Sequence, residues 1–376
     1  MIPFNKPFLT GKETQYIEEA VASGKISGNG MFTKRCQAFF EDTYGFKKCL
    51  LTTSCTDALE MSAILCDIKP GDEVIIPSYT FVSTALAFVR QGAKIIFADS
   101  YPNNPNIDHN TIESLITKQT KAIVVVHYAG IACEMDAIMS LAEKHKLLVI
   151  EDAAQAIDSY YKGKPLGTIG HLSTFSFHET KNIIAGEGGM LGINDDKYVE
   201  RAEIIWEKGT NRSQFFRGEI NKYGWIDTGS SFLPSEVIAA FLWAQLENIQ
   251  NIQTRRKEIW NRYYNEFKAA DLEHFDLPVV PDYSSQNGHL FYLVSKKADY
   301  RNDFIAHLKT KGIHAVFHYL SLHASDYYSE KHDQRALPNS DNFTECLVRL
   351  PLFYDLTEDD VKHIIKTIIA YDKDMA

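Results

Sequence analysis

The sequence predicts an α/β protein with a parallel sheet covered on both faces by helices, followed by a smaller α+β domain. Between residues 47 and 154, nearly continuous apolar runs alternate with helical stretches. Apolar strands without alternation are typical of parallel sheets, because helices cover both of their faces. Past residue 235 this pattern changes, and 376 residues are many for a single core. We therefore predict two domains, at residues 1–245 and 246–376.

Five runs that end in turn residues or polar groups predict the strands of the large domain. They are KKCLLTTS (47–54), DEVIIPS (72–78), AKIIFADS (93–100), KAIVVVHYAG (121–130) and KLLVIEDAA (146–154). The helical stretches between them lie at 56–67, 82–91, 110–117 and 134–145. In open parallel sheets, ligands bind beyond the carboxyl ends of the strands, so the residues that follow each strand are the candidates for chemistry.

The C-terminal part begins with a long helical stretch behind Pro234 and continues as a mixture of helices and strands. A proline-rich connector, DLPVVPDYSSQNG (276–288), follows the helical stretch. Beyond it we predict a strand at GHLFYLVSK (288–296), a helix at YRNDFIAHLKTKG (300–312) and a final helix at TEDDVKHIIKTIIAYDKD (357–374). This order is typical of a small α+β domain.

Composition narrows the classes of function. A net charge of −10 argues against a nucleic-acid-binding protein, which normally carries a basic excess. No apolar run reaches the length of a membrane span, and the N-terminal residues lack the pattern of a secretory signal. The six cysteines show no CxxC pair and no metal-ligand spacing, so we expect reduced thiols and no metal site. A soluble cytoplasmic protein is the resulting expectation.

Side chains that can take part in binding or catalysis follow three of the predicted strands. Asp152 follows the run 147–151, TSCTD (53–57) follows the first strand, and PSYTF (77–81) follows the second. The segment TSCTD opens a helix, and free backbone N–H groups together with the helix dipole make such a helix start suitable for a phosphate. An aromatic side chain such as Phe81 is suited to stack on a flat ring.

The segment FSFHETKNIIAGEGG (175–189) sets a lysine among aromatic, hydroxyl, imidazole and carboxylate side chains ahead of a glycine-rich turn. A solvated loop would be more uniformly polar, and a core strand would not carry His178, Glu179 and Lys181 together. Pyridoxal phosphate (PLP) needs a phosphate cradle, a stacking aromatic, a carboxylate for its ring nitrogen and a lysine for its aldehyde. The sequence supplies all four and therefore predicts a PLP site.

Each of these features has a simpler alternative when it is taken alone. The segment TSCTD can be an ordinary helix cap, and Asp152 a cap or ion-pair partner. Phe81 can belong to the core, and Lys181 can be a surface lysine. Only the combination of all four along one α/β chain favours the cofactor site.

Longer motifs resemble the sugar-nucleotide aminotransferases, a branch of the fold-type I PLP enzymes. They are EDAAQA (151–156), YKGKPLGTIGHLSTFSFHETKNIIAGEGG (161–189) and CDIKPGDEVIIPSYTFVSTALAF (66–88). The resemblance extends over essentially the whole chain, through GIHAVFHYLSLH (312–323) to the C-terminus. It implies the fold-type I architecture, with a mainly parallel seven-stranded sheet in the large domain and a smaller α+β C-terminal domain.

The resemblance implies a role for each matching residue at the cofactor. Lys181 matches the lysine that binds the cofactor covalently, and Asp152 the carboxylate that faces the pyridine nitrogen. Gln155 matches a glutamine near the cofactor's phenolic oxygen, and Phe81 the stacking aromatic. The residues that match phosphate contacts are Ser176, Cys55, Thr56 and Asp57.

Two positions depart from the family pattern. Cys55 stands where many members have Gly or Ala, which is compatible with a contact through the backbone N–H alone. In GSSFLP (229–234), Ser231 takes the place of an asparagine that reaches the phosphate in the neighbouring subunit. The phosphate contact across subunits is therefore weakened, although the resemblance still implies a homodimer with shared sites or a higher oligomer.

The resemblance also implies the substrates. The motifs SFHETKN (176–182), EKGTNRSQFFRG (207–218) and HYAGIACEMDAIM (127–139) resemble the transaminases that aminate dTDP-4-keto-6-deoxy-D-glucose at C4 with L-glutamate. Lys208, Arg212 and Arg217 are candidates for the nucleotide's diphosphate, since they place three cations on one polar segment. His318, Tyr319 and His323 are candidates for contacts with the sugar.

Three rival functions share much of this pattern. An enzyme that aminates C3, or one that gives the gluco product, would carry the same cofactor motifs. Relatives that act as dehydratases lack the lysine, so Lys181 argues against them. A sensor protein would need a DNA-binding appendage, for which we expect no room outside the two domains.

Overall fold

Helices and strands alternate along most of the chain, which the computed structural model describes from residue 1 to residue 375. The helices are α1 (Glu13–Ala22), α2 (Met31–Tyr44), α3 (Cys55–Leu65), α4 (Ser83–Val89), α5 (His109–Ile112), α6 (Met135–His145), α7 (Val199–Trp206), α8 (Arg212–Phe216), α9 (Glu236–Glu247), α10 (Ile249–Ala270), α11 (Ala298–Thr310), α12 (Pro338–Cys346) and α13 (Glu358–Asp374). The strands are β1 (Lys48–Thr52), β2 (Glu73–Pro77), β3 (Lys94–Ala98), β4 (Ser100–Tyr101), β5 (Asn104–Ile107), β6 (Thr120–Val126), β7 (Leu148–Asp152), β8 (Tyr160–Tyr161), β9 (Lys164–Pro165), β10 (Leu172–Ser176), β11 (Gly189–Ile193), β12 (Phe275–Asp276), β13 (Phe291–Ser295) and β14 (Leu347–Leu350).

A seven-stranded sheet with the order β1-β11-β10-β7-β6-β2-β3 forms the centre of the large domain. The strands from β10 to β3 pair in parallel, whereas β11 runs antiparallel to both of its neighbours. Alternate residues of β6 belong to different cores, with Val125 in one apolar cluster and Val124 in the other. Since side chains alternate across a strand, the two clusters lie on opposite faces of the sheet. The predicted mainly parallel sheet with two covered faces is confirmed.

Two strands of this sheet, β10 and β11, are absent from the five runs that the apolar pattern predicts. Strand β10 reads LSTFS, which is too rich in hydroxyls to appear as a continuous apolar run. Strand β11 begins at Gly189, a residue that the pattern assigns to a turn. A Cβ at Gly189 would lie 2.3 Å from the backbone carbon of Ser54, so only glycine lets β11 pass this close to the start of α3.

The small domain has a three-stranded antiparallel sheet with the order β12-β13-β14. Its core combines apolar side chains of β13 and β14 with those of α10, α11 and α13. The first turn of α10 packs in the large-domain core through Ile249 and Ile252, while Ile259 and Trp260 belong to the small-domain core. Helix α10 therefore connects the two cores.

The long helical stretch predicted past residue 235 is divided at Asn248. The side-chain amide of Asn248 donates to the carbonyl of Ala244 at 3.0 Å, and its φ and ψ of −108° and 10° end α9. Asparagine favours such local bonds to the backbone over continued helix, which the apolar periodicity on either side does not reveal.

At 22 residues α10 is long. Even so, no helix in residues 1–375 combines the length and the apolar character needed to cross a membrane.

Candidate active site

A cavity of about 540 Å³ lies beyond the carboxyl ends of the parallel strands, where both domains contribute side chains. Its volume falls in the range of roughly 300–1,000 Å³ that is typical of small-molecule sites. Strand β7 contributes Asp152, and the small domain contributes residues of β14 and of the segment before α12. The sequence-predicted site residues that line it are Cys55, Thr56, Phe81, Asp152, Gln155, Ser176, Lys181, His318 and Tyr319.

Asp152 is the last residue of β7 and is held by two hydrogen bonds. The hydroxyl of Thr84 donates to its Oδ2 at 2.7 Å, and the backbone N–H of Ala154 donates to Oδ1 at 3.2 Å. Burial raises the pKa of Asp152, although these bonds and the nearby Lys181 act in the opposite direction. No ion pair involves its carboxylate in residues 1–375, so the group is suited to face a cation that the cavity takes up.

Lys181 lies on a tight loop that follows β10. Its backbone N–H donates to the carbonyl of His178 at 2.9 Å, and Ala185 donates to Phe177 at 2.7 Å across the base of the loop. The side chain lines the cavity, and its Nζ makes no hydrogen bond or ion pair within the described residues. A lysine amine at the edge of a cavity that no carboxylate engages in an ion pair is available for covalent chemistry.

Hydroxyl groups and a helix start form one end of the cavity. Ser54 caps α3 by accepting the N–H of Asp57 at 3.1 Å. The hydroxyl of Thr56, in the first turn of α3, donates to Ser83 at 2.8 Å. Ser176, at the end of β10, adds a further hydroxyl. Backbone N–H groups at a helix start together with hydroxyls suit a phosphate.

Phe81 and Tyr319 form an aromatic wall of the cavity. Phe81 is 55% exposed, so the alternative that it belongs to the core is wrong. Its ring centroid lies 5.8 Å from that of Tyr319, whose hydroxyl accepts from the side-chain amide of Gln155 at 3.1 Å. Gln155 is fixed in turn by the N–H of Ala129, which donates to its Oε1 at 2.7 Å. The wall therefore combines the exposed ring of Phe81 with the hydrogen-bonded hydroxyl of Tyr319.

The structure places six predicted site residues outside this cavity: Asp57, Lys208, Arg212, Arg217, Ser231 and His323. The backbone N–H of Asp57 donates to the side chain of Ser54 in the helix cap, and the Asp57 carboxylate accepts a hydrogen bond from the hydroxyl of Thr53. His323 does not line the cavity, and its Nδ1 contacts the hydroxyl of Ser78 at 2.7 Å. In this structure Asp57 and His323 are therefore not placed to contact a ligand in the cavity.

The cations of the segment 207–218 lie away from the cavity, and its two arginines already have acidic or aromatic neighbours. Arg217 pairs with Glu203 at 2.7 Å and Glu219 at 2.6 Å. Arg212 lies 3.7 Å from Glu207 and 5.0 Å from the Phe216 ring centroid. Because Glu203 and Glu219 neutralise Arg217, the structure does not support a contact between Arg217 and the diphosphate of a nucleotide bound to the same chain. Ser231 pairs with Glu207 in an isolated bridge away from the cavity.

Three cavity residues have no signal in the sequence. Thr84 lies inside a predicted helix, yet its hydroxyl orients Asp152. His289 contacts Asn182 at 2.8 Å through Nδ1, and burial and then Lys181 hold its pKa well below the usual value, so it is neutral. Arg349 belongs to β14, far along the chain from every motif. Contacts between residues distant in the sequence bring these side chains to the site, and local patterns cannot predict such contacts.

The residues present fit PLP. The buried carboxylate of Asp152 has no cation partner in the described chain, which suits a protonated ring nitrogen. The amine of Lys181, the hydroxyl-lined start of α3 and the exposed ring of Phe81 match the aldehyde, the phosphate and the ring. Together with the mainly parallel sheet and the small α+β domain, these features define a PLP-dependent transferase of fold type I.

Comparison with known proteins identifies the family. The chain belongs to the DegT/DnrJ/EryC1/StrS aminotransferase family, whose sequence model matches residues 7–369. It is therefore a PLP-dependent sugar aminotransferase, and it uses a sugar substrate and an amino donor. The family and fold implied by the sequence motifs are both confirmed.

Relatives in sequence and structure span the whole chain. The spore coat polysaccharide biosynthesis protein SpsC of Bacillus subtilis (strain 168) is 33% identical over 376 residues, 98% of this chain and 96% of the relative. The aminotransferase TlmJ of Streptoalloteichus hindustanus superposes with a TM-score of 0.92 at 27% identity over 100% of both chains. The PMP form of the putative sugar aminotransferase Spr1654 of Streptococcus pneumoniae gives 0.93 at 25% identity, also over 100% of both chains. A PLP form of Spr1654 is similar too, with a TM-score of 0.91 at 25% identity over 100% of this chain and 99% of that one.

Proposed function

We propose that the protein transfers the amino group of L-glutamate to C4 of dTDP-4-keto-6-deoxy-D-glucose. The product is dTDP-4-amino-4,6-dideoxy-D-galactose, a precursor for a cell-surface polysaccharide. The observation that carries the proposal is the cavity that joins Lys181 and Asp152 within a sugar aminotransferase fold. The choice of sugar is supported by the motifs SFHETKN and EKGTNRSQFFRG. The name of the relative SpsC is in keeping with polysaccharide synthesis.

Asp152 and Lys181 act on different protons of the reaction. When bound, PLP supplies an electron-accepting ring conjugated to a reactive aldehyde carbon. Asp152 would keep the ring nitrogen protonated, because its buried carboxylate favours a cation beside it. The Lys181 amine takes the proton from the α-carbon of glutamate and, in the second half-reaction, returns a proton to C4 of the sugar. The use of one site for both half-reactions gives ping-pong kinetics.

The remaining cavity residues position these groups. Thr84 and the Ala154 amide keep the Asp152 carboxylate directed into the cavity. The start of α3 with Thr56, together with Ser176, would hold the phosphate, and Phe81 would stack on the ring. Gln155, which donates to the hydroxyl of Tyr319, would lie near the phenolic oxygen of the cofactor. Each of these assignments predicts weaker cofactor binding when the side chain is removed.

The proposal includes a homodimer in which each subunit completes its neighbour's site. The segment between α7 and α9 carries large apolar side chains that are exposed in the single chain, including Phe216, Tyr223 and Trp225, the last at 84%. Exposed aromatics beside arginines are typical of interfaces. Arg212 and Ser231 lie on this segment, and the proposal assigns them to the site of the other subunit.

The test is incubation of the purified protein with PLP, L-glutamate and dTDP-4-keto-6-deoxy-D-glucose, followed by NMR of the amino sugar. The proposal predicts an axial amino group at C4, the galacto configuration. An equatorial amino group at C4 would assign the gluco product, and a protein that leaves this sugar unreacted but aminates the 3-keto isomer would be a C3 aminotransferase. Either outcome would overturn the proposed sugar and leave the aminotransferase class intact.

A further inference from the structure

Tyr319 brings to the cavity a hydroxyl whose proton is unused. Its oxygen accepts a hydrogen bond from the side-chain amide of Gln155 at 3.1 Å, and the guanidinium carbon of Arg349 lies 4.5 Å from its ring centroid. A phenol that accepts one hydrogen bond still has its own proton to donate. The hydroxyl makes no hydrogen bond as a donor within residues 1–375, so the cavity holds a free phenolic donor.

Two buried tyrosines of the large domain anchor the backbone of Tyr319. The hydroxyl of Tyr79 accepts the backbone N–H of Tyr319 at 2.8 Å and donates to the carbonyl of His318 at 2.6 Å. The hydroxyl of Tyr128 donates to the same carbonyl at 3.2 Å. Tyr79 follows β2 and Tyr128 follows β6, and each is only 1% exposed. The phenol of Tyr319 is therefore anchored to the large domain, although it lies between α11 and α12 of the small one.

The charges around Tyr319 favour release of its proton. Burial by itself raises the pKa of this phenol, but the positive charges of Arg349 and then Lys181 lower it, against a smaller opposing effect of Asp152. The balance holds the pKa of Tyr319 below its ordinary value. Burial instead raises the pKa of the neighbouring Tyr79 well above the usual range, so Tyr79 keeps its proton. A phenol of lowered pKa gives up a proton more readily at neutral pH.

Transamination exchanges oxygen for nitrogen at the reacting carbon, and no residue assigned so far carries protons for this exchange. The C–O bond of the keto substrate breaks and a bond to nitrogen takes its place. The oxygen gains two protons and leaves as water, the nitrogen loses two, and no oxidant or reductant takes part. When the amino donor leaves as a keto acid, the same exchange runs in reverse. Each direction is accelerated by a side chain that gives one proton and takes one back.

Four other titratable groups of the cavity are already committed. Asp152 faces the ring nitrogen in the proposed arrangement, and Lys181 moves the protons at carbon. The guanidinium of Arg349 does not give up a proton in a folded protein. Burial and then the charge of Lys181 hold the pKa of His289 well below its usual value, so this imidazole has no proton to give as an acid.

We infer that Tyr319 carries the proton to and from the oxygen that leaves or enters at the reacting carbon. The free hydroxyl proton in the cavity and the anchored backbone support this assignment. The inference rests on the proposed function in assigning the protons at carbon to Lys181, and it holds for any keto sugar as acceptor.

The first test separates the protons at carbon from those at oxygen. Wild type and Tyr319→Phe, both saturated with PLP, are mixed with L-glutamate in D₂O, and the initial rates of α-proton loss and of 2-oxoglutarate formation are measured. We expect Tyr319→Phe to form 2-oxoglutarate at least about 100-fold more slowly, because it lacks the acid, and to lose the α-proton at a rate within about threefold of the wild type. Equal slowing of both rates, or of neither, would overturn the inference.

Further variants separate an acid from a hydrogen-bond donor. Tyr319→Gln donates a hydrogen bond but no proton, so it should form 2-oxoglutarate as slowly as Tyr319→Phe, and near-wild-type formation would overturn the inference. The exposed Tyr327→Phe is the matched control and should change neither rate. A loss of the oxygen step in His318→Gln together with a normal Tyr319→Phe would assign the proton to His318 instead. If Tyr319→Phe does not fold, as judged by circular dichroism, Tyr319→Gln decides alone.

Ionisation of the phenol provides a readout apart from turnover. Ultraviolet titration of the cofactor-free wild type should show one phenol that ionises below about pH 10 and is missing from Tyr319→Phe. Arg349→Gln should move this ionisation to higher pH, because it removes the nearest cation. Superimposable titrations of the wild type and Tyr319→Phe below about pH 10 would contradict the inference. Failure of the wild type to form 2-oxoglutarate from L-glutamate would count against the proposed function itself.

Discussion

Asp152 lies at the floor of the cavity with both carboxylate oxygens already engaged by Thr84 and by the Ala154 amide. Substitution Asp152→Asn keeps the shape and most of these bonds, but it removes the charge that holds a proton on the ring nitrogen. We expect kcat to fall at least about 1,000-fold, which corresponds to about 4 kcal/mol of transition-state stabilisation. The control is Asp42→Asn on the exposed face of α2. Turnover of Asp152→Asn close to the wild-type value would show that another group serves the ring nitrogen.

The same substitution should change the stability of the two forms in opposite directions. Burial raises the pKa of Asp152 in the cofactor-free chain. Stability linked to a raised pKa is present below the unfolded-state value and is lost as the pH rises through the folded-state pKa. Keeping the carboxylate charged against burial costs free energy that an asparagine at this position avoids, so at a pH above the folded-state pKa Asp152→Asn should raise the Tm of the cofactor-free protein.

In the PLP-loaded protein the sign reverses, because the ring nitrogen compensates the carboxylate. Asp152→Asn should then lower the Tm relative to the loaded wild type. Thermal unfolding of both proteins with and without PLP measures the four values. A Tm that shifts in the same direction in both forms would contradict the pairing of Asp152 with a cationic ring.

Among the individual site residues, the sequence predicts those that lie in contiguous motifs and misses those that the fold brings to the cavity from distant parts of the chain. Lys181 and Asp152 are predicted, and the structure brings both into one cavity. Asp57 is placed at the phosphate by its motif, but its N–H is used by the helix cap. Arg349 gives no local sign, because its importance comes from burial beside Tyr128 and Tyr319, which only the fold determines.

The last two residues of β7, Glu151 and Asp152, point to opposite faces of the sheet. Asp152 enters the cavity, while Glu151 is buried on the other side and accepts the backbone N–H groups of Gly167, Ile169 and Gly170 at 2.5 to 2.8 Å. Glu151 also contacts His127 at 2.9 Å. This carboxylate ties the loop ahead of β10 to the strand that carries Asp152.

Substitution Glu151→Gln should destabilise the large domain. The neutral amide is a weaker acceptor, and its NH₂ group faces N–H donors that it cannot satisfy. We expect a loss of about 3 kcal/mol in the free energy of unfolding, measured by urea denaturation of the cofactor-free protein. Glu143→Gln on the exposed side of α6 is the matched control and should change the free energy by less than about 0.5 kcal/mol. Equal stability of Glu151→Gln and Glu143→Gln would contradict this role.

At the scale of elements, apolar runs predict the strands that are buried on both faces and fail for β10 and β11. Gly189 of β11 is required by its close approach to the start of α3, and β10 and β11 flank the Lys181 loop. The resemblance to a known family nevertheless implies a seven-stranded sheet, and that number is correct. Propensity is overridden here by the packing that the site requires.

The whole molecule should be a homodimer with active sites shared between subunits. A Lys181→Ala chain and an Arg212→Ala chain are each inactive in this account, the second because Arg212 serves the neighbouring site. Mixed and reassembled, they form heterodimers as about half of the population, and each heterodimer has one intact site. Heterodimers should regain about half of a wild-type dimer's activity. Subunit exchange is verified by mass spectrometry, and a mixture that exchanges yet stays inactive would show that Arg212 acts within its own chain.

The central claim is that Lys181 is the residue to which the cofactor is bound. The most direct test is to reduce the PLP-loaded protein with borohydride, digest it, and locate the modified lysine by mass spectrometry. The account predicts that the cofactor's mass is added to the peptide that contains Lys181, and that Lys181→Ala carries no adduct. An adduct on another lysine, or a wild-type protein that binds PLP and yields none, would contradict it.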